Sequence, residues 1–242
     1  MKTISLLGAF FFSIGLFAQN LQGAWKLTEE NGKKITNKEV MAIYQDGYFA
    51  IGAKQTFDNK FLYAEGGAYA IKEGVYTQTF DFNTASPDTI GVEHQYAYSL
   101  AVNTLTLVST GGSRLWQRVS EDKDSLTRNW VITGRERDGN MNTMTPGDRR
   151  TVKILSGGRF QWIAFNSATK EFSGSGGGTY LAANGLYTED ITFFSRDDSR
   201  VGASLQFHFE VKDGKWHHKG KSSKGDPIYE IWSPYSEAYV RE

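Results

Sequence analysis

Along much of the chain, apolar and polar residues alternate with a period of two. Tyr96, Tyr98, Leu100 and Val102 alternate with Ala97, Ser99 and Ala101, and Leu205, Phe207, Phe209 and Val211 alternate with Gln206, His208, Glu210 and Lys212. Tyr76, Phe80 and Phe82 share one phase of VYTQTFDF, and Tyr187, Glu189, Ile191 and Phe193 share one phase of LYTEDITFF. A strand sends successive side chains to opposite faces, so this alternation predicts half-buried antiparallel strands. Asp46-Gly47, Gly157-Gly158 and Asp213-Gly214 lie between such runs. They predict tight hairpins, because a two-residue turn needs positive φ angles.

The pattern occurs twice. GGAYAIKEGVYT at 66–77 and GGTYLAANGLYT at 177–188 agree at Gly66/Gly177, Gly67/Gly178, Tyr69/Tyr180, Gly74/Gly185, Tyr76/Tyr187 and Thr77/Thr188, a shift of 111. The shift is 105 near the start, where Leu21 and Trp25 match Leu126 and Trp130, and 116 near the end, where Trp116 matches Trp232. Shifts that change only between blocks indicate loop insertions in a shared scaffold. Each copy holds about eight short strands and no helix, which points to an all-β sandwich or barrel. An eight-stranded antiparallel barrel leaves no exposed sheet edge and an interior able to hold one small ligand.

Residues 1–18, MKTISLLGAFFFSIGLFA, place Lys2 ahead of a 15-residue apolar run that ends at Ala18. The run is short for a spanning helix and predicts a secretory signal peptide cleaved after Ala18. The expected mature chain is soluble and exported, periplasmic or extracellular, with no integral membrane segment. It divides into a first barrel at 19–119, a charged linker at 120–125 (SEDKDS) and a second barrel at 126–242.

Each copy opens on a strand with a Trp, GAWKL at 23–27 and RNWVI at 128–132. Each closes on another, RLWQRV at 114–119 and YEIWSP at 229–234. With the central Gly-Gly blocks, this resembles the lipocalin-like barrel domains of secreted Bacteroidetes proteins, within the wider calycin group. The resemblance covers nearly all of the mature chain, twice. It implies two tandem antiparallel β-barrels and small-molecule binding inside a cup, without catalysis. Copy two departs from the pattern at Asn129, and Pro234 stands where copy one has Arg118.

Composition narrows the chemistry. The sequence has 27 basic and 27 acidic residues and no Cys. A balanced charge gives no footprint for nucleic acid. The lack of Cys excludes disulfides, zinc–thiolate sites and thiol nucleophiles. Copy one carries a net −1 and copy two a net +3, so the copies differ in charge.

The residues expected to line a cup are Tyr76, Trp116, Trp162, Tyr187, Glu189, Phe193 and Trp232. A small hydrophobic or amphipathic molecule is the expected partner, with no cofactor. Glu189 is the most informative, since its counterpart in copy one is the neutral Gln78. A carboxylate among apolar residues needs a partner or a raised pKa. It would orient a polar head group or act as a general acid or base; the alternative is a structural tie to a backbone group or an Arg. His94, His208, His217 and His218 do not share one face, so no metal site is expected. SGSGGGTY at 173–180 lacks the Lys-Ser/Thr of a phosphate loop and reads as a turn entering a strand. SRDDSR at 195–200 reads as a charged loop between two strands, a solvated turn by default and the frame of a barrel mouth in the functional reading. Three other roles stay open: carbohydrate binding on an outer face, catalysis through Glu189, and a structural envelope role. No catalytic residue is assigned.

Overall fold

The computed structural model describes residues 20–222 and 224–241. The apolar segment at 1–18 lies outside them. The first half forms β1 (Gly23–Glu30), β2 (Lys33–Lys34), β3 (Lys38–Gln45), β4 (Tyr48–Gln55), β5 (Phe61–Lys72), β6 (Val75–Asn83), β7 (Glu93–Leu100), β8 (Thr104–Ser109) and β9 (Gly112–Ser120). The second forms β10 (Arg128–Arg137), β11 (Asn140–Thr143), β12 (Arg149–Ser156), β13 (Arg159–Asn166), β14 (Glu171–Ala183), β15 (Leu186–Phe194), β16 (Ser204–Lys212), β17 (Lys215–Lys221) and β18 (Pro227–Pro234). One short helix, α1 (Tyr235–Ala238), follows. No helix among the described residues is long and apolar enough to cross a membrane.

Each half is a closed antiparallel barrel of eight strands. β1 and β3 to β9 follow in sequence order and β9 pairs back onto β1; β10 and β12 to β18 do the same, with β18 on β10. The short β2 and β11 flank β1 and β10 outside the rings. Asp46-Gly47 (φ 52° and 71°) and Asp213-Gly214 (φ 51° and 71°) make the tight turns their sequence predicts. Trp25 Nε1 donates to the Leu21 carbonyl at 2.9 Å and Trp130 Nε1 to the Leu126 carbonyl at 2.8 Å, so the same contact recurs where each barrel begins.

The Gly-rich segment at 173–180 is not a turn. It lies wholly inside β14, as its counterpart lies inside β5. A bulge opposes each Gly-Gly pair: Gly66 and Gly67 face Phe82 and Phe80, leaving Asp81 extra, and Gly177 and Gly178 face Phe193 and Ile191, leaving Thr192 extra. A Cβ on Gly177 would sit 2.6 Å from both the Phe160 carbonyl and the Phe193 ring. Glycine is therefore kept for close approach rather than for a turn. The extra residue inverts the alternation, because side-chain period is two. Phe193 consequently points out of the barrel, which corrects the phase it was expected to share with Tyr187 and Glu189. Phe194 points in instead.

The outward aromatics meet a second layer of protein. Ile43, Tyr48, Ala50, Ala64 and Phe82 of the first barrel form one buried cluster with Val131, Val152, Ile154, Ile163 and Phe165 of the second. Strands β12 and β13 are thus buried on both faces, by their own lumen and by the neighbouring barrel. Tying the barrels further, Asp81 pairs with Arg150 at 2.9 Å and with Arg241 at 2.7 Å, and the Tyr235 hydroxyl donates to Asp81.

Candidate functional site

The two interiors differ although their scaffolds match. The first is filled by tyrosines. Tyr44 and Tyr76 hydroxyls lie 3.4 Å apart, Tyr76 donates to Gln78 Oε1, and Gln78 Nε2 donates to Tyr96 at 2.9 Å. The Tyr69 and Tyr76 rings stack. Burial raises the Tyr44 and Tyr76 phenols well above their ordinary value, so they act as neutral hydrogen-bonding groups. Arg114 and Glu65 complete this interior as a 3.0 Å ion pair.

Strand pairing aligns the second interior residue by residue. Trp25 pairs with Ala42 and Trp130 with Lys153; Tyr69 pairs with Gln78 and Tyr180 with Glu189; Leu107 pairs with Arg114 and His218 with Glu230. The second barrel therefore has Lys153 for Ala42, Glu189 for Gln78, His218 for Leu107 and Glu230 for Arg114. Three neutral inward positions have become ionisable and a fourth has reversed its charge.

Lys153 and Glu189 form an ion pair at 2.5 Å, each side chain 5% exposed. The ammonium also lies over the rings of Phe160, Tyr187, Trp216 and Trp232, at 5.2 to 5.6 Å from their centroids. Glu230 bonds Arg135 at 2.5 Å, accepts from Trp232 Nε1 at 3.1 Å, and faces His218 Nδ1 at 3.5 Å. Burial opposes ionisation of Glu230, yet the His218 contact and the charges of Arg135 and Lys153 bring its pKa down to about 2. Burial, reinforced by Lys153, pushes the His218 imidazole below its ordinary value despite Glu230. His218 Nε2 is buried without a hydrogen-bond partner among the described residues.

Above this floor lies a cavity of about 350 Å3, walled by Trp162, Ile191, Phe194, Leu205 and Ile228. Lys153, Glu189, His218, Glu230 and Trp232 form its base, and Arg135 and Arg196 stand at its mouth. Of the residues predicted from sequence, Trp162, Glu189 and Trp232 meet in this cup. Tyr187 lies beneath them in the fully buried core, its ring 5.1 Å from Trp216. Tyr76 and Trp116 are buried in the first barrel. Phe193 packs outside, against Gly52 and Phe61 of the first barrel. The remaining histidines are dispersed: His94 packs on Phe80, His208 is exposed, and His217 bonds the Tyr229 hydroxyl.

Sequence reasoning missed Lys153, Glu230 and Arg135, and weighed His218 only as a metal ligand. The signal was present in the repeat: at the shift that sets Glu189 on Gln78, Lys153 falls on Ala42, so opposite charges enter two inward positions together.

Fold and site together define a double eight-stranded β-barrel with one aromatic interior and one ionised cup. Neither protein-family models nor curated proteins match the chain, so the site stands on its own geometry.

Proposed function

We propose that the chain is an exported binding protein of the lipocalin-like, calycin kind, whose second barrel takes a small, partly apolar molecule. The carrying observation is the open cup. Its 350 Å3 reaches the size range of small-molecule sites, which join apolar walls to a few convergent polar groups. Trp162, Ile191 and Phe194 offer the wall; Lys153, Glu189 and His218 offer the polar groups. The unpartnered His218 Nε2 is a natural contact for a ligand hydroxyl or amide. Export rests on the pattern of residues 1–18 alone.

Sugar stacking on an outer face loses its motivation: five of the six Trp are buried, and Trp162 faces the cup. Catalysis through Glu189 is weakened by its pairing with Lys153, which occupies the carboxylate as a structural tie.

Titration with the neutral fluorophore N-phenylnaphthylamine tests the proposal. A single equivalent should bind per chain, and Phe194→Lys, which sets a charge in the wall, should abolish binding. No binding, or binding indifferent to that variant, would overturn it.

A further inference from the structure

Beside the cup lies a second cavity of about 480 Å3. Five arginines line it, Arg135, Arg137, Arg149, Arg150 and Arg196, with no carboxylate among the lining residues. The cleft has a structural origin. β10 pairs with β12 only between Arg128 and Val131; from Gly134 onward it pairs with β11 instead, so the wall parts beside β12. Arg137 lies beyond Arg135 on β10, and Arg149 lies two pairs along β12 from Lys153. Both therefore continue the inner faces of their strands to the rim. Arg135, Thr151, Ala164 and Arg196 border both cavities, so the apolar cup and the basic cleft lie side by side.

Two of these arginines are neutralised, Arg135 by Glu230 and Arg150 by Asp81. Arg137, Arg149 and Arg196 have no carboxylate within ion-pair distance among the described residues, and Arg196 donates to the Ser173 carbonyl. The first barrel serves as an internal control. There Glu30 occupies the position of Arg135 and Lys38 that of Arg149, as the pairings Glu30–Arg114 and Arg135–Glu230, and Lys38–Gln55 and Arg149–Asn166, show. Glu30 and Lys38 bond each other at 2.6 Å, so that rim cancels its own charge. The second rim leaves its charge unspent.

We propose that this cleft binds a phosphate monoester head group, and that the ligand of the second barrel is an anionic amphiphile with its apolar body in the cup. The ligand class rests on the cup reading above; the anion site itself does not. Three guanidinium groups without carboxylate partners suit a dianion with three free oxygens better than a single carboxylate.

Calorimetry on the whole mature chain at low salt, with dodecyl phosphate, dodecanoate, dodecanol and inorganic phosphate as separate probes, tests this. Dodecyl phosphate should bind tightest, dodecanoate less, and dodecanol least. The double variant R137Q/R149Q, at two exposed positions, should weaken dodecyl phosphate by about ten-fold or more and leave dodecanol unchanged. Equal affinity for phosphate, carboxylate and alcohol would overturn the anion site while leaving the cup intact. Binding of inorganic phosphate that R137Q/R149Q abolishes, with no gain from the alkyl chain, would keep the anion site and overturn the cup. Failure of all four probes would overturn both.

Discussion

Phe61 and Phe172 stack on one another between the barrels, ring centroids 6.1 Å apart and planes 3° from parallel. They are the same position of the two repeats, since Phe61 pairs with Lys54 and Phe172 with Phe165 at matching registers. A second equivalent pair also meets, Ser156 Oγ bonding Gln45 Oε1 at 2.9 Å. The wider contacts are reciprocal: β4 packs on β15, and β13 on β6. A residue touching its own counterpart marks a two-fold axis, as in the isologous interface of a homodimer. The tandem chain is thus packed as a fused dimer, and the 111-residue shift gives the covalent record of it.

The stacked pair should couple energetically. Phe61→Ala and Phe172→Ala, at half-buried positions, should each cost about 1–2 kcal/mol, with a coupling of about 1 kcal/mol in a double-mutant cycle. Urea denaturation of the four proteins measures it. Strict additivity would show that the rings share only area and not a contact.

Asp81 holds the asymmetric part of the same interface. Its carboxylate is 3% exposed and faces Arg150, which is wholly buried, and Arg241, which is 36% exposed. Asp81→Ala leaves a buried guanidinium unpaired and should cost about 3–5 kcal/mol. Arg241→Ala removes a partner open to solvent and should cost less than about 1 kcal/mol. Equal losses in urea titrations would contradict this division.

The strands were legible in the sequence because half of each strand's residues meet an apolar interior. What misled was the other face. In TVKILS, Val152 and Ile154 alternate with Lys153, a pattern that sends Lys153 to solvent if one face of the strand is wet. Here Val152 and Ile154 pack on the first barrel, and Lys153 enters the lumen. The same hidden layer received Phe193, where a bulge at Thr192 reversed the phase. Glu189 was readable as an inward carboxylate. Its partner was legible only by comparing the repeats, where Lys153 falls on Ala42, since the strand that carries it lies 36 residues away in sequence.

The Lys153–Glu189 pair offers a direct test through the repeat. Lys153→Ala alone strands a buried carboxylate and Glu189→Gln alone strands a buried ammonium, each costing about 3–5 kcal/mol. The double variant restores the residues of the first barrel, Ala42 and Gln78, and should be more stable than the less stable single variant despite carrying two changes. Thermal or urea unfolding separates these outcomes. A double variant that loses the sum of both singles would mean that the charges act independently.

Acid should destabilise the second barrel in two stages. His218 has its pKa lowered from the ordinary 6.5 by burial and Lys153. Above pH 6.5 it is neutral both folded and unfolded; below that the unfolded chain takes up a proton that the folded barrel refuses, so stability falls until the lowered value is passed. Glu230, brought down from 4.5 to about 2, contributes fully above pH 4.5 and loses its contribution as pH falls toward 2, a change on the order of 3 kcal/mol. His218→Leu, which installs the first barrel's Leu107, should remove the upper stage and shrink the lower one, because it also takes away the contact that lowers Glu230; Glu230→Gln should remove the lower stage and leave the upper. Urea midpoints measured between pH 2 and pH 8 resolve the two. A single decline unchanged by His218→Leu would show that the imidazole is not held neutral, and with it that the floor of the cup is wetter than its geometry implies.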